Sequence, residues 1–188
     1  KLTDLTMLYS GLARLGTILS RMTEASRLEQ SLSSAARERF DAAAVLRGCV
    51  EGYRLAYAPR AFELTVAAEP AFVLGSADLL AQMFDKLAEN AADFAASGTV
   101  IRIHLTSEEE KSLIRIENQG PPLPDAIRES LFNSMVSLRG ERAGDEPHLG
   151  LGLYIARLIA EFHGGTLRAE NVPGEHAVAF EAELARAV

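Results

Sequence analysis

The chain has 188 residues, 48% of them apolar and 24% charged, and a formal net charge of −7. This balance suits one globular domain with room for an appendage and excludes a disordered tail. With no Lys/Arg cluster set against the acidic background, a nucleic-acid partner is not expected. A lone Cys49 excludes a disulfide within the chain; lying in an apolar helical stretch, it reads as a packed thiol in a reducing, cytosolic setting. No run of 18 apolar residues and no signal peptide is present, so these residues predict neither a membrane span nor secretion.

Leu5, Leu8, Leu12, Leu15, Leu19 and Met22 recur at spacings of three and four, the seam of a helix that packs against other helices. The stripe then shifts to Ala25, Leu28, Leu32 and Ala35 before polar residues Arg37 to Arg39 interrupt it, which places a hinge near 35–41. Such a helix leaves one apolar side uncovered and needs a partner, most simply another chain. A second apolar run extends from Ala42 to Tyr57.

From Phe62 the pattern mixes strands and helices. Phe62, Leu64 and Val66 alternate as a strand, and Ser76 caps a long helix whose apolar face is Leu80, Met83, Phe84, Leu87, Ala91 and Phe94. Ile101, Ile103 and Leu105 alternate, as do Ile114 and Ile116, and the acidic stretch Glu108–Lys111 joins them as a hairpin. Residues 124–131 read as a short helix after Pro124, and Asn133–Pro147 as a mobile loop. Strands at Leu167–Asn171 and Val178–Leu184 complete a sheet.

The stretch His148-Leu149-Gly150-Leu151-Gly152-Leu153 opens a helical pattern that ends at His163-Gly164-Gly165. Glycines at a helix start let backbone N–H groups approach a ligand, and the dipole there favours phosphate oxygens. A tight turn would use the same residues. Two further elements stand in order before it: a helix bearing Asn90 and a strand ending in Asn118-Gln119-Gly120-Pro121-Pro122.

Along this order, over roughly residues 62–184, the chain resembles the ATP-binding domain of sensor histidine kinases, in the superfamily that also holds gyrase, Hsp90 and MutL. The upstream string Arg21-Met22-Thr23-Glu24-Ala25-Ser26-Arg27-Leu28-Glu29 is similar to the second helix of a kinase dimerisation domain. The strings Asp85–Phe94 and Ser134–Arg139 also resemble those of kinases attached to dedicated proteobacterial sortase systems. The resemblance implies an α+β fold: a two-layer sandwich of Bergerat type, with a mixed sheet covered by helices on one face, preceded by a long amphipathic helix. Residues 1–36 would be part of the dimerisation domain and 41–186 the ATP-binding domain.

By the same resemblance, Asn90 coordinates the Mg²⁺ that bridges the ATP phosphates, as suits an ion that prefers oxygen ligands. Asn118 stands at the family's aspartate position, which accepts a hydrogen bond from the adenine amine. A hydrogen bond to a charged group is worth about 1.5–3 kcal/mol against about 1 for a neutral pair, which implies ATP affinity roughly tenfold weaker than aspartate would give. Gly120 fits the first glycine of the family's box, whereas Pro122 replaces the second and removes a backbone donor. Phe94, Leu123, Leu131 and Phe132 are expected as apolar walls, with Leu149, Gly150, Leu151, Gly152 and Leu153 at the phosphates. Ordinary core packing would explain the apolar residues equally.

Lys86, Asn90 and Asp93 stand four and three residues apart, which predicts one helix face. The family usually has a polar or acidic group first and lysine third, so the charges are exchanged: Lys86 would neutralise phosphate, with Glu89 or Asp93 near the metal. A solvated ion-pair face is the alternative. His163 is expected to end its helix with Gly164 rather than to bind a ligand. None of His104, His148, His163 and His176 matches the family's phosphoacceptor, whose helix is missing.

The implied function is Mg-ATP binding and γ-phosphoryl transfer to a histidine on that missing helix, then to a response regulator. The parent protein would be a homodimer through its N-terminal helix and an inner-membrane bacterial sensor, with this domain cytoplasmic and tied to the membrane only through other segments. A degenerate, non-catalytic dimerisation or regulatory module is the main alternative. Another ATPase or an anti-sigma kinase of the superfamily is a further one.

Overall fold

Apolar residues three and four apart bury one side of a long helix only if a flat apolar surface faces it, and the sheet supplies that surface. The computed structural model describes residues 26–67, 69–125, 128, 130–133 and 151–187, together with Gly11, Leu12, Gly16, Leu19, Ser20 and Thr23. In chain order the elements are α1 (26–34), β1 (Glu38–Asp41), α2 (Ala42–Ala56), β2 (Ala61–Val66), β3 (Phe72–Gly75), α3 (Ala77–Phe94), β4 (Val100–Ser107), β5 (Lys111–Gln119), α4 (Leu151–Phe162), β6 (Thr166–Asn171) and β7 (Ala177–Ala185).

The main sheet has the order β2-β4-β5-β7-β6. β2 runs parallel to β4, and every other pairing is antiparallel. Strand alternation sorts its two faces. Ile101, Ile103, Leu105, Ile114 and Ile116 are buried toward the helices, against Leu80, Met83, Phe84 and Leu87 of α3 and Ile155 and Ile159 of α4. Each such side chain contributes about 1.5–3 kcal/mol by leaving water. The opposite face is polar: Lys111 pairs with Glu183 at 2.7 Å, Arg115 with Glu170 at 2.6 Å, and Arg168 with Glu181. The fold is thus the α+β two-layer sandwich that the sequence predicts, with helices on one face.

Local chemistry sets the helix ends. Ser76 Oγ accepts from Leu79 N–H at 3.4 Å, and Asp78 stands in the first turn of α3, where the helix dipole favours an acid. Asp41 Oδ1 accepts from Ala43 N–H and from Ala71 N–H, each at 3.0 Å, so one carboxylate caps α2 and holds the approach to β3. At the end of α4, Gly164 has φ 71°, Gly165 N–H donates to Ala160 O, and Gly164 N–H to Glu161 O, a Schellman stop.

His163 does more than precede that stop. It is 1% exposed; Nδ1 donates to the Ile159 carbonyl at 2.8 Å, and Nε2 lies against the Ser76 backbone, 3.2 Å from its N–H nitrogen and 3.1 Å from its carbonyl oxygen. The ring thereby ties the end of α4 to the cap of α3. Gly75 is required beside it, since a Cβ there would collide with the imidazole.

Two sequence expectations need correction. The region 35–41 is not simply a hinge: Glu38–Asp41 pairs antiparallel with Phe72–Gly75 as a two-stranded ribbon. Both strands have only four residues, too short for a period to show. Within the short helix expected at 124–131, Asp125 begins a 3-10 turn and Arg128 N–H bonds to Asp125 O at 3.3 Å, while 126, 127 and 129 lie outside the described residues. Leu28 is buried in the domain core and Leu32 packs on it, so this part of the N-terminal stripe is covered within the chain. Leu12 and Leu19 are exposed, at 67% and 65%, while the rest of the Leu5–Met22 seam lies outside the described residues.

Candidate nucleotide-binding site

β5 buries alternate residues up to its end, so the inward position after Ile114 and Ile116 falls to an amide, Asn118. It is 2% exposed, and its Nδ2 has no hydrogen-bond partner among the described residues. Buried polar groups are seldom left so, because an unmade hydrogen bond costs about 1–3 kcal/mol. Asn118 lines a cavity of about 190 Å³, somewhat larger than the roughly 150 Å³ that admits benzene. Asn90 and Phe94 of α3 and Leu153 of α4 form one side of it. Pro121, Pro122, Leu123, Pro124 and Leu131 form the opposite side, with Val178 and Phe180 from β7, the neighbour of β5. Apolar walls around one unpaired amide suit a flat ring with a polar edge.

The chain leaves β5 through Gly120, whose N–H donates to His176 O at 2.9 Å. A Cβ at Gly120 would collide with the Phe94 carbonyl oxygen and stand 3.2 Å from Asn118 Nδ2. Glycine is needed because α3 and the amide approach the backbone from both sides. Three residues on, Leu123 is held by Asn171 at the end of β6: Leu123 N–H donates to Asn171 Oδ1 at 2.8 Å, and Asn171 Nδ2 donates to Leu123 O at 2.9 Å. This clamp fixes the wall that follows two prolines. Sequence reasoning missed Asn171, whose only signal was an amide before Val172-Pro173.

α3 carries two adjacent rows at four-residue spacing. Lys86, Asn90 and Phe94 are half-buried, while Asp85, Glu89 and Asp93 are exposed. Asn90 and Phe94 line the cavity, and the stem of Lys86 lies over α4, its Cδ 3.8 Å from where a Gly152 Cβ would be. The acidic row borders α2 instead. Tyr53 Oη donates to Asp85 Oδ1 at 2.6 Å. Burial, then the charges of Glu89, Asp85 and Asp93, raise the Tyr57 hydroxyl above its ordinary pKa. Burial, then the bond to Asp85, raises that of Tyr53 still further. Asp93 is exposed like Asp85 and Glu89 and acts on Tyr57 with them, yet it stands seven residues from Lys86, about two helical turns, so it lies at the border between the two rows. Burial likewise raises the Cys49 thiol, which packs half-buried beside Tyr53.

Asn90, Phe94, Asn118, Pro122, Leu123, Leu131 and Leu153 thus meet around one cavity. Gly120 shapes it, and Gly152 adjoins Lys86. Phe132 packs edge-on to Phe180, 6.4 Å between ring centroids, behind the wall. Leu151 is buried at the start of α4. Leu149 and Gly150, with 134–147 of the expected loop, lie outside the described residues. Pro121, Pro124, Val178 and Phe180 were not foreseen; the β7 pair was legible only as core, because the sequence does not tell which strand β7 lies beside.

A family model described as histidine kinase-, DNA gyrase B- and HSP90-like ATPase matches residues 75–187. The chain belongs to this family. Sensor protein ChvG of Agrobacterium fabrum is 29% identical over 188 residues, covering 95% of this chain and 31% of ChvG. A solved structure of the mycobacterial sensor histidine kinase MprB is similar with a TM-score of 0.70 at 26% identity, covering 81% of this chain and all of that one. Full-length ShkA in complex with AMPPNP shares the fold, with a TM-score of 0.72 at 20% identity over 100% of this chain and 40% of that one. Among members of the family, this is the catalytic ATPase domain of a sensor histidine kinase. It spans about a third of the length of the curated relatives it matches.

Proposed function

We propose that this chain binds Mg-ATP in the cavity bounded by Asn90 and Asn118, and that its parent protein moves the γ-phosphoryl group to a histidine on a dimerisation helix and then to a response-regulator aspartate. The buried Asn118, whose Nδ2 has no partner among the described residues, in a largely apolar cavity carries the reading. The base enters between Leu123 and Leu153, with its polar edge on Asn118. The phosphates then extend toward Lys86 and Gly152, whose side-by-side placement joins a positive charge to the first turn of α4. Asn90, half-buried between these two ends, offers a neutral amide oxygen, which fits Mg²⁺ held mainly by phosphate oxygens and water. Bound there, Mg²⁺ would neutralise phosphate charge; this chain's residues supply binding and orientation, the main demands of phosphoryl transfer.

In this reading residues 1–36 are part of the dimerisation helix, 41–186 the ATP-binding domain, and exposed Leu12 and Leu19, seven residues apart, part of a homodimer seam. The parent is an inner-membrane sensor with this domain in the cytoplasm; among the described residues no helix is long and apolar enough to cross a membrane. A second reading rests on α3. Glu89, Asp85 and Asp93 all act on the Tyr57 hydroxyl at the α2 side, and a domain whose α3 carboxylates serve that contact rather than the metal would bind nucleotide for regulation without transferring phosphate.

Calorimetric titration with ATP, with and without Mg²⁺, tests binding. Metal-dependent affinity in the micromolar range is expected, and no binding up to millimolar nucleotide would overturn it. Asn90→Ala is expected to weaken Mg-ATP by about tenfold or more while leaving metal-free ATP nearly unchanged; equal losses would remove Asn90 from the metal. Transfer of γ-phosphate by the full-length protein separates the two readings.

A further inference from the structure

The amide that closes the cavity has a property a carboxylate lacks: it presents one donor and one acceptor side by side, and a half-turn about χ2 exchanges them. We propose that Asn118 makes this site accept 6-oxopurine nucleoside triphosphates as well as 6-aminopurine ones. The inference rests on the ATP-site reading above and deepens it.

Two observations carry it. Asn118 is 2% exposed with Nδ2 unpartnered, so no protein group among the described residues fixes that nitrogen. Around the cavity Pro121, Leu123, Leu153, Val178 and Phe180 are apolar and Asn90 is the other amide, and none of them makes a hydrogen bond to Asn118 Nδ2 that would hold the amide in one orientation. Asn118 is then the polar group on β5 that reads the base edge.

Adenine presents an amine donor at C6 beside the N1 acceptor. Asn118 meets it with Oδ1 accepting from the amine and Nδ2 donating to N1. Hypoxanthine presents the reverse, a C6 carbonyl beside N1–H, and the turned amide meets it with Nδ2 donating to the carbonyl and Oδ1 accepting from N1–H. Both bases satisfy the buried amide with the same number of hydrogen bonds. An ionised aspartate offers acceptors only: the oxygen facing C6 takes the adenine amine's hydrogen bond but meets the 6-oxo oxygen as a like partner, and no rotation can present a donor there. Sites that leave a buried polar group unpaired discriminate by large factors, whereas sites that can pair with either ligand do not.

The test is calorimetric titration of the chain with Mg-ATP and Mg-ITP, then of Asn118→Asp with both. The wild-type chain is expected to bind ITP within about tenfold of ATP, and Asn118→Asp to widen the ATP preference by about tenfold or more. A wild-type preference for ATP above that tenfold limit, or a variant that shifts the ratio by less, overturns the proposal. The wild-type ratio decides the matter even if burying a carboxylate prevents the variant from folding. If ATP binds and ITP does not, base tolerance alone fails. If neither binds, the ATP-site reading fails first.

Discussion

The ends of β5 and β6 both carry an asparagine beside the cavity, and the two are used in opposite ways. Asn171 spends both amide atoms on the Leu123 backbone, at 2.8 and 2.9 Å. Asn118 is more deeply placed, yet its Nδ2 has no partner among the described residues. Protein interiors pair their polar groups because leaving one bare costs about 1–3 kcal/mol. An amide that finds its partners in the chain holds the fold; one that waits for a partner gives up stability for a ligand. Residue type alone does not distinguish the two roles, but pairing does.

Removing each amide should therefore change stability in opposite directions. The larger effect is expected for Asn171→Leu, which strands the N–H and carbonyl of Leu123: a loss of about 2 kcal/mol, or about 6 °C in Tm, read by thermal unfolding of the nucleotide-free chain. Asn118→Leu removes an unpaired group of similar size and should raise stability by about 1 kcal/mol, while ATP binding in calorimetry disappears. If both substitutions lowered Tm alike, Asn118 would be a structural amide and the contrast would fail.

How far the sequence showed this division depends on the length of each signal. The α3 face from Leu80 to Ala91 and the alternation through Ile114 and Ile116 run for several periods, so the helix, the strand and the inward aim of Asn118 were legible. The ribbon of β1 and β3 was not, because four residues show no period and their pairing spans residues distant in sequence. On α3, both i+3 and i+4 neighbours share a face, so spacing alone could not decide whether Asp93 or Phe94 accompanies Lys86 and Asn90. Burying Met83, Leu87 and Ala91 against the sheet turns Phe94 inward to the cavity and leaves Asp93 exposed at the border between Lys86 and Glu89. Asn171 stayed hidden for a different reason. Its partner is a backbone, which leaves no mark in sequence.

A third polar group sharpens the contrast with a smaller effect. Asp85, on the exposed row of α3, is paired within the fold by the Tyr53 hydroxyl at 2.6 Å, so like Asn171 it serves structure. Tyr53→Phe keeps the ring contacts with Phe62 and Phe84, whose centroids lie 5.5 and 5.9 Å away, and deletes only the hydroxyl with its bonds to Asp85 and the Cys49 thiol. The loss should be about 1 kcal/mol or less at neutral pH. Burial and the Asp85 bond both raise the Tyr53 pKa above its unfolded value, so this contribution is complete below about pH 10, the ordinary tyrosine value. Above it the unfolded chain gives up the phenolic proton while the folded chain keeps it, and stability falls as pH rises. Urea midpoints at pH 7, 9 and 10.5 should accordingly show wild type ahead of Tyr53→Phe at the first two and the gap closing at the third. A gap that stayed constant through that range would mean that the hydroxyl ionises alike in both states and that Asp85, like Asn118, is not held by the fold.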